Sequence, residues 1–196
     1  SPAAGRPLTV GYLARLAPEK GLHLLVDAFL ELHEMPGMDQ VQLRIAGWLG
    51  EHRRDYVEQQ FDKLRSAGLG GQFQYDGAVD RQGKLDFLDS IDLLSVPTVY
   101  EEPKGLFVLE SLAAGVPVVQ PRHGAFPELL SRTGGGLLVD PGDTSGLATA
   151  MAGLLSDPAG RKALGDAGQK KVHESFNAER MGAETLEALA RIAAAR

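Results

Sequence analysis

The sequence predicts an α/β protein: a Rossmann-like, doubly wound parallel sheet of about six strands, with helices on both faces and a helical C-terminal tail. Three observations predict it. Short apolar runs alternate with longer amphipathic ones from residue 8 to residue 140. Glycine and proline punctuate the junctions between them. Beyond residue 144 only helical spacing is found. Strands that alternate with helices lie parallel, and the crossing helices cover both faces of the sheet.

The strand candidates are LTVGYLAR (8–15), VQLRIAGW (41–48), QFQYDGAV (72–79), DLLSVPT (92–98), VPVVQP (116–121) and GGLLVD (135–140). The helical patterns between them span 21–35, 53–68, 81–91, 106–115 and 125–132. In the first, Leu24, Leu25, Ala28 and Leu32 recur at helical spacing. Gly115 is placed to end its helix before Val116-Pro117. The tail divides into 144–157, 158–176 and 177–196, with breaks at Asp157-Pro158 and Phe176-Asn177. No repeat or low-complexity tract interrupts this order. Residues 1–7, SPAAGRP, read as a linker or chain edge.

Composition narrows the function. The chain has 196 residues, 43% apolar and 23% charged, in the range of a soluble globular domain. A net charge of −6 disfavours a nucleic-acid partner. Without cysteine there is neither a disulfide framework nor thiolate chemistry, and a reducing compartment is allowed. No apolar run approaches membrane-spanning length, and no signal peptide is visible.

Several familiar motifs are missing. The G-x-G-x-x-G fingerprint does not follow the first strand, which runs into ARLAPEKG. GAVDRQGK (77–84) has the wrong glycine spacing for a P-loop, and Leu85 stands where a magnesium-binding Ser or Thr would be. The five histidines show no metal-ligand spacing, and neither Asp-x-Asp nor Gly-x-Ser-x-Gly is found.

In open α/β sheets, ligands bind beyond the carboxyl ends of the strands, so the loops there carry the search. The first loop holds Arg15 and Lys20 at the start of a long helix. One reading is a phosphate grip, bidentate from Arg15 and a point charge from Lys20. The other is two solvated charges, paired with Glu19 or with nothing. The fourth loop, EEPKGLFVLE (101–110), sets Glu102 before a helix start at Gly105 and puts Glu110 inside an apolar run. Pro103 discourages helix before it, and Gly105 lets backbone approach a ligand. The free N–H groups of that helix start point into the crevice. A carboxylate there can accept hydrogen bonds from sugar hydroxyls. The competing readings are a loop acid in solvent for Glu102 and a core-edge acid answered by backbone donors for Glu110.

The eight-residue step from Glu102 to Glu110, followed by SLAAGVPVV, resembles the Glu-x7-Glu motif of the retaining family 4 glycosyltransferases (glycosyltransferase group 1). GYLARLAPEKG, LRIAGWLGE, FQYDGAV, PRHGAFPELL and GGGLLVDPGD resemble further segments of that family, so the likeness covers nearly the whole chain. These enzymes have two Rossmann-like domains, the GT-B arrangement, and the C-terminal one binds the nucleotide-sugar. The resemblance therefore implies a donor domain over residues 8–176, and a C-terminal helix, 177–196, that packs on an absent N-terminal acceptor domain.

The resemblance also implies roles. Arg15 and Lys20 would bind the donor diphosphate and stabilise it as it leaves, without a metal. Glu102 would contact the donor sugar at its reacting face. Gly105, Leu106 and Phe107 would present backbone N–H groups to the diphosphate or sugar. Glu110 would bind the ribose, the loop from Gly77 to Val79 would meet the base, and Gly47 would let the ligand approach closely. No cofactor is expected; the donor substrate is UDP- or GDP-linked. Lys104 stands where an aromatic residue is common and is either an extra phosphate contact or solvent-facing. Glu101 has no second glutamate in register. Trp48 either stacks on a ligand or packs. His123 reads as structural or solvated, and Pro127 and Glu128 as helix-capping residues.

The expected activity is hexose transfer from a nucleoside-diphosphate sugar to a sugar, lipid or small-molecule acceptor. The chain reads as an excised or naturally separate donor domain that binds nucleotide but turns over poorly alone. A cytoplasmic location is expected, with peripheral membrane attachment of the whole protein where the acceptor is a lipid. The alternatives are a non-catalytic nucleotide-binding module, or a sugar-nucleotide epimerase or phosphorylase of related fold.

Overall fold

The computed structural model describes residues 6–194. Most of the expected linker, residues 1–7, and the end of the tail lie outside them. The strands are β1 (Thr9–Leu13), β2 (Gln42–Ala46), β3 (Phe73–Tyr75), β4 (Leu93–Leu94), β5 (Val118–Pro121) and β6 (Gly136–Val139). The helices are α1 (Leu22–His33), α2 (Arg54–Ser66), α3 (Arg81–Asp89), α4 (Leu106–Ala113), α5 (Phe126–Thr133), α6 (Thr144–Ser156), α7 (Pro158–Ser175) and α8 (Ala178–Ala194). The fold expectation holds: a six-stranded parallel sheet in the order β3-β2-β1-β4-β5-β6, covered by helices on both faces.

β1 is buried along its whole length, as a central parallel strand must be. α1 packs against α2 and α6, whereas α4 and α5 pack against α7. Between these groups lies one apolar core that includes Tyr12, Phe29, Phe87 and Phe126. The strand order reverses between β1 and β4, which are hydrogen-bonded neighbours. Crevices of doubly wound sheets open at such a reversal.

β4 is shorter than its pattern, 92–98, because its ladder is diverted. The Val96 amide donates to Oε1 of the Gln120 side chain (3.3 Å), the Thr98 amide turns back to Val96 O (2.8 Å), and Pro97 has no N–H to offer. That early exit starts the long loop carrying Glu102. Three helix starts share the pattern Asp-x-x-Gly, in which Asp80, Asp143 and Asp157 each accept a hydrogen bond from the amide three residues on. Asn177 does the same for α8 through the Arg180 amide (2.9 Å).

α8 buries none of its residues: Met181, Leu186, Leu189 and Ile192 all face solvent. No helix among the described residues is long and apolar enough to cross a membrane.

Asp157 both caps α7 and separates it from α6. Asp157→Ala is expected to cost about 1 kcal/mol and to lower the melting temperature by roughly 2–4 °C, readable by thermal denaturation followed by circular dichroism.

Candidate functional site

The loops that leave the carboxyl ends of β1, β2, β3 and β4 converge, and Glu102 is the residue on which two of them meet. It is 7% exposed. Its Oε2 accepts from Lys20 Nζ at 2.6 Å and from the Tyr100 hydroxyl. Its Oε1 accepts from the Lys104 and Gly105 amides, both at 3.3 Å. A carboxylate offers about four lone-pair positions, so all are engaged. Burial would push the Glu102 carboxyl up, but Lys20, Tyr100 and the two amides outweigh it and hold the group at about 2. Burial likewise works against the Lys20 ammonium, yet Glu102 and Tyr100 raise its pKa above the ordinary value.

Lys20 reaches this point because the β1 loop is pinned from beneath. The buried Tyr12 hydroxyl donates towards Arg15 O (3.2 Å) and Lys20 O (3.4 Å). Pro18–Lys20 forms one tight turn that ends at Gly21, with φ of 73°. A side chain at Gly21 would meet Pro97 O at 1.8 Å, so the β1 and β4 loops touch through backbone alone. The Arg15 side chain is 59% exposed and pairs loosely with Glu19 at 3.6 Å, leaving most of its donors free. At the start of α4 the Gly105 amide is committed to Glu102, whereas the Leu106 and Phe107 amides have no partner among the described residues. Lys20, Arg15 and those amides make the crevice attractive to an anion.

Beside it lies a cleft of about 230 Å³ lined by Leu13, Ala14, Gly47, Trp48, Ala78, Val79, Lys84 and Glu110. Four residues singled out from the sequence, Gly47, Trp48, Val79 and Glu110, thus line one cleft, and Trp48 is 55% exposed. Gly77 contributes through its carbonyl, which accepts from the Gly47 amide at 2.8 Å and joins the β2 and β3 loops. Gly47 is required by the chain itself, since a side chain there would meet Ala14 O at 1.7 Å. Glu110 is 40% exposed at the side chain and pairs with Lys84 Nζ at 2.6 Å. A larger cavity, about 600 Å³, lies at the opposite ends of the strands around Arg6, Asp92 and Arg161. It holds none of the residues to which the sequence gives a donor-site role.

Lys104 is exposed, and its side chain makes no hydrogen bond or ion pair among the described residues. Glu101 is exposed as well. His123 Nε2 lies 2.9 Å from Thr98 O, which makes it the protonated nitrogen and ties the β5 loop to the β4 loop. Pro127 and Glu128 sit in the first turn of α5, without a side-chain cap bond.

Sequence reasoning missed Lys84 and Tyr100. Lys84 belongs to GAVDRQGK, one helical turn beyond the Asp80 cap, and that spacing is the signal that could have found it. Tyr100 stands two positions before Glu102, a spacing that puts both on one side of an extended segment.

A Rossmann-like sheet with an anion-attracting crevice and a cleft at the carboxyl ends of its strands defines the class of doubly wound α/β domains that bind ligands at that edge. Comparison with known proteins is narrower. The family pattern described as glycosyl transferases group 1 matches residues 1–171, and the chain belongs to that family. It is 34% identical over 165 residues to the phosphatidyl-myo-inositol mannosyltransferase of Mycobacterium leprae, covering 84% of this chain and 41% of that protein. It is 30% identical over 190 residues to the glycogen synthase of Mycobacterium tuberculosis, covering 94% and 44%. Among solved structures, sucrose-phosphate synthase from Thermosynechococcus elongatus superposes with a TM-score of 0.82 at 29% identity, over 98% of this chain and 47% of that one. Anabaena HepE in complex with UDP gives 0.85 at 25% identity, over 95% and 49%. The chain spans less than half the length of these relatives.

The Glu102 cluster has a pH signature. Its carboxyl sits at about 2, below the ordinary 4.5, so its stabilisation is complete above pH 4.5 and is lost as pH falls towards 2. Wild type is expected to exceed Glu102→Gln by about 1–2 kcal/mol at neutral pH, discounted for the solvent that reaches the crevice. That gap should close between pH 4.5 and 2 in denaturant titrations.

Proposed function

We propose that this chain is the donor-binding part of a retaining family 4 hexosyltransferase that takes UDP- or GDP-linked hexose and needs no metal. The observation that carries this reading is the juxtaposition of two subsites on α4. At its start, Lys20, Arg15 and the open Leu106 and Phe107 amides suit a diphosphate. One turn on, Glu110 faces the cleft of Gly47 and Val79, where a ribose and base would lie. The eight-residue step between the two glutamates matches that division.

On this reading the ribose hydroxyls take over the acceptor capacity that Lys84 now fills at Glu110. Lys84 is released towards the nucleotide. The β2 and β3 loops meet the base largely through backbone. Glu102 keeps Lys20 on Oε2 and turns Oε1, whose two amide contacts are the longer ones, towards the hexose. Negative charge develops on the departing diphosphate, where Lys20, Arg15 and the helix-start amides stabilise it. A second domain supplies the acceptor, which attacks the face the diphosphate leaves, and the apolar stripe of α8 packs on that domain. The likeness to mannosyl-, glucan- and sucrose-phosphate-forming relatives supports hexose transfer.

A thermal-shift series with UDP, GDP, ADP and their hexose conjugates tests this. At tenfold the dissociation constant, the matching nucleotide stabilises by about 1.4 kcal/mol, a rise of roughly 3–6 °C. Glu110→Ala should weaken that nucleotide about tenfold, and Glu102→Ala should weaken the hexose conjugate more than the bare diphosphate. A folded protein that responds to no nucleotide at millimolar concentration refutes the reading.

A further inference from the structure

We propose that Tyr100 is a positioning residue for the diphosphate subsite, acting through Lys20. This rests on the donor-site reading above. The Tyr100 hydroxyl accepts from Lys20 Nζ at 2.6 Å and donates to Glu102 Oε2, the same oxygen that takes Lys20. Nζ lies beyond the hydroxyl at the edge of the Tyr100 ring, 4.9 Å from its centroid, and the Phe107 centroid is 5.7 Å away. Lys20 has three protons to donate. Two are held at fixed points by Glu102 and Tyr100, and the third has no acceptor among the described residues.

The loop that presents Tyr100 is itself anchored. Thr98 Oγ1 donates to Tyr100 O at 3.1 Å, and the Val99 amide donates to Glu19 O at 3.1 Å, in the same turn as Lys20. His123 clamps Thr98 O from the other side. A lysine alone is a point charge on a flexible four-carbon stem, and fixing it when a ligand arrives costs side-chain entropy. Here Glu102 and Tyr100 supply that ordering from within the protein. Phenylalanine at position 100 would keep the ring but lose both hydrogen bonds, leaving Lys20 held by Glu102 only. The residue is 36% exposed, so the hydroxyl can be removed without opening the core.

Calorimetric titration of the 196-residue chain tests the inference, with UDP, GDP, uridine and guanosine against wild type, Tyr100→Phe, Lys20→Ala and the double variant. Tyr100→Phe is expected to bind the diphosphate about three- to tenfold more weakly, with nucleoside affinity unchanged. It should add nothing in the Lys20→Ala background, since a residue acting through Lys20 has no effect once Lys20 is gone. Wild-type diphosphate affinity in Tyr100→Phe overturns the inference and leaves the donor-site reading standing. So does a loss that persists undiminished without Lys20. Wild type that binds neither diphosphate overturns both.

Discussion

A carboxylate taken out of water must have its charge balanced and its lone pairs filled, and the Glu102 carboxylate imposes that demand on the upper half of this domain. The groups that meet it come from separate places in the chain. Lys20 comes from the loop after β1, Tyr100 from the loop after β4, and the Lys104 and Gly105 amides from the approach to α4. The backbone of the same residue holds a further loop, because Glu102 O accepts from the Ala125 amide at 2.8 Å. Three loops are thereby fixed to one another without a secondary-structure ladder between them. The anion-attracting crevice is the space that this arrangement leaves open.

The two glutamates of the motif differ in physical state because they lie on different kinds of backbone. Glu102 is in the loop, is buried, and has all its acceptor positions taken. Glu110 is the fifth residue of α4, one turn beyond the exposed Leu106, and shares its face. Phe107, Val108, Ser111 and Leu112 turn the opposite stripe to the core. An acid inside an apolar run is thus no contradiction: the run is amphipathic, and Glu110 marks the stripe that meets the cleft. Its partner, Lys84, is one that a ligand can exchange, since both side chains are partly exposed.

Backbone approach is the other constraint. Gly21 and Gly47 each stand where a side chain would strike a carbonyl of a neighbouring loop, at Pro97 and Ala14 respectively. The loops pack as bare main chain there, which keeps the crevice floor and the cleft wall close together. For Gly47 this is a reason within the fold itself, independent of any ligand.

The sequence by itself determined the order and type of every element, because apolar periodicity, Asp-x-x-Gly starts and glycine stops are local properties of the chain. It also placed the loops that carry Lys20, Gly47, Val79 and Glu102 at one edge, since strands that alternate with helices send their carboxyl-terminal loops the same way. The family likeness rested on the Glu102-to-Glu110 spacing together with five further segments spread along the chain. What only the tertiary structure decided were the pairings across the chain. Lys20 and Glu102 are 82 positions apart, and Lys84 and Glu110 are 26 apart. No periodicity encodes such meetings; they arise when separate loops fold onto one edge and a buried charge selects its partner. The early exit of β4 was hidden for the same reason, since it depends on a Gln120 side chain from the next strand. Tyr100 was legible as a residue but not as a role, because its role exists only where Lys20 and Glu102 already meet.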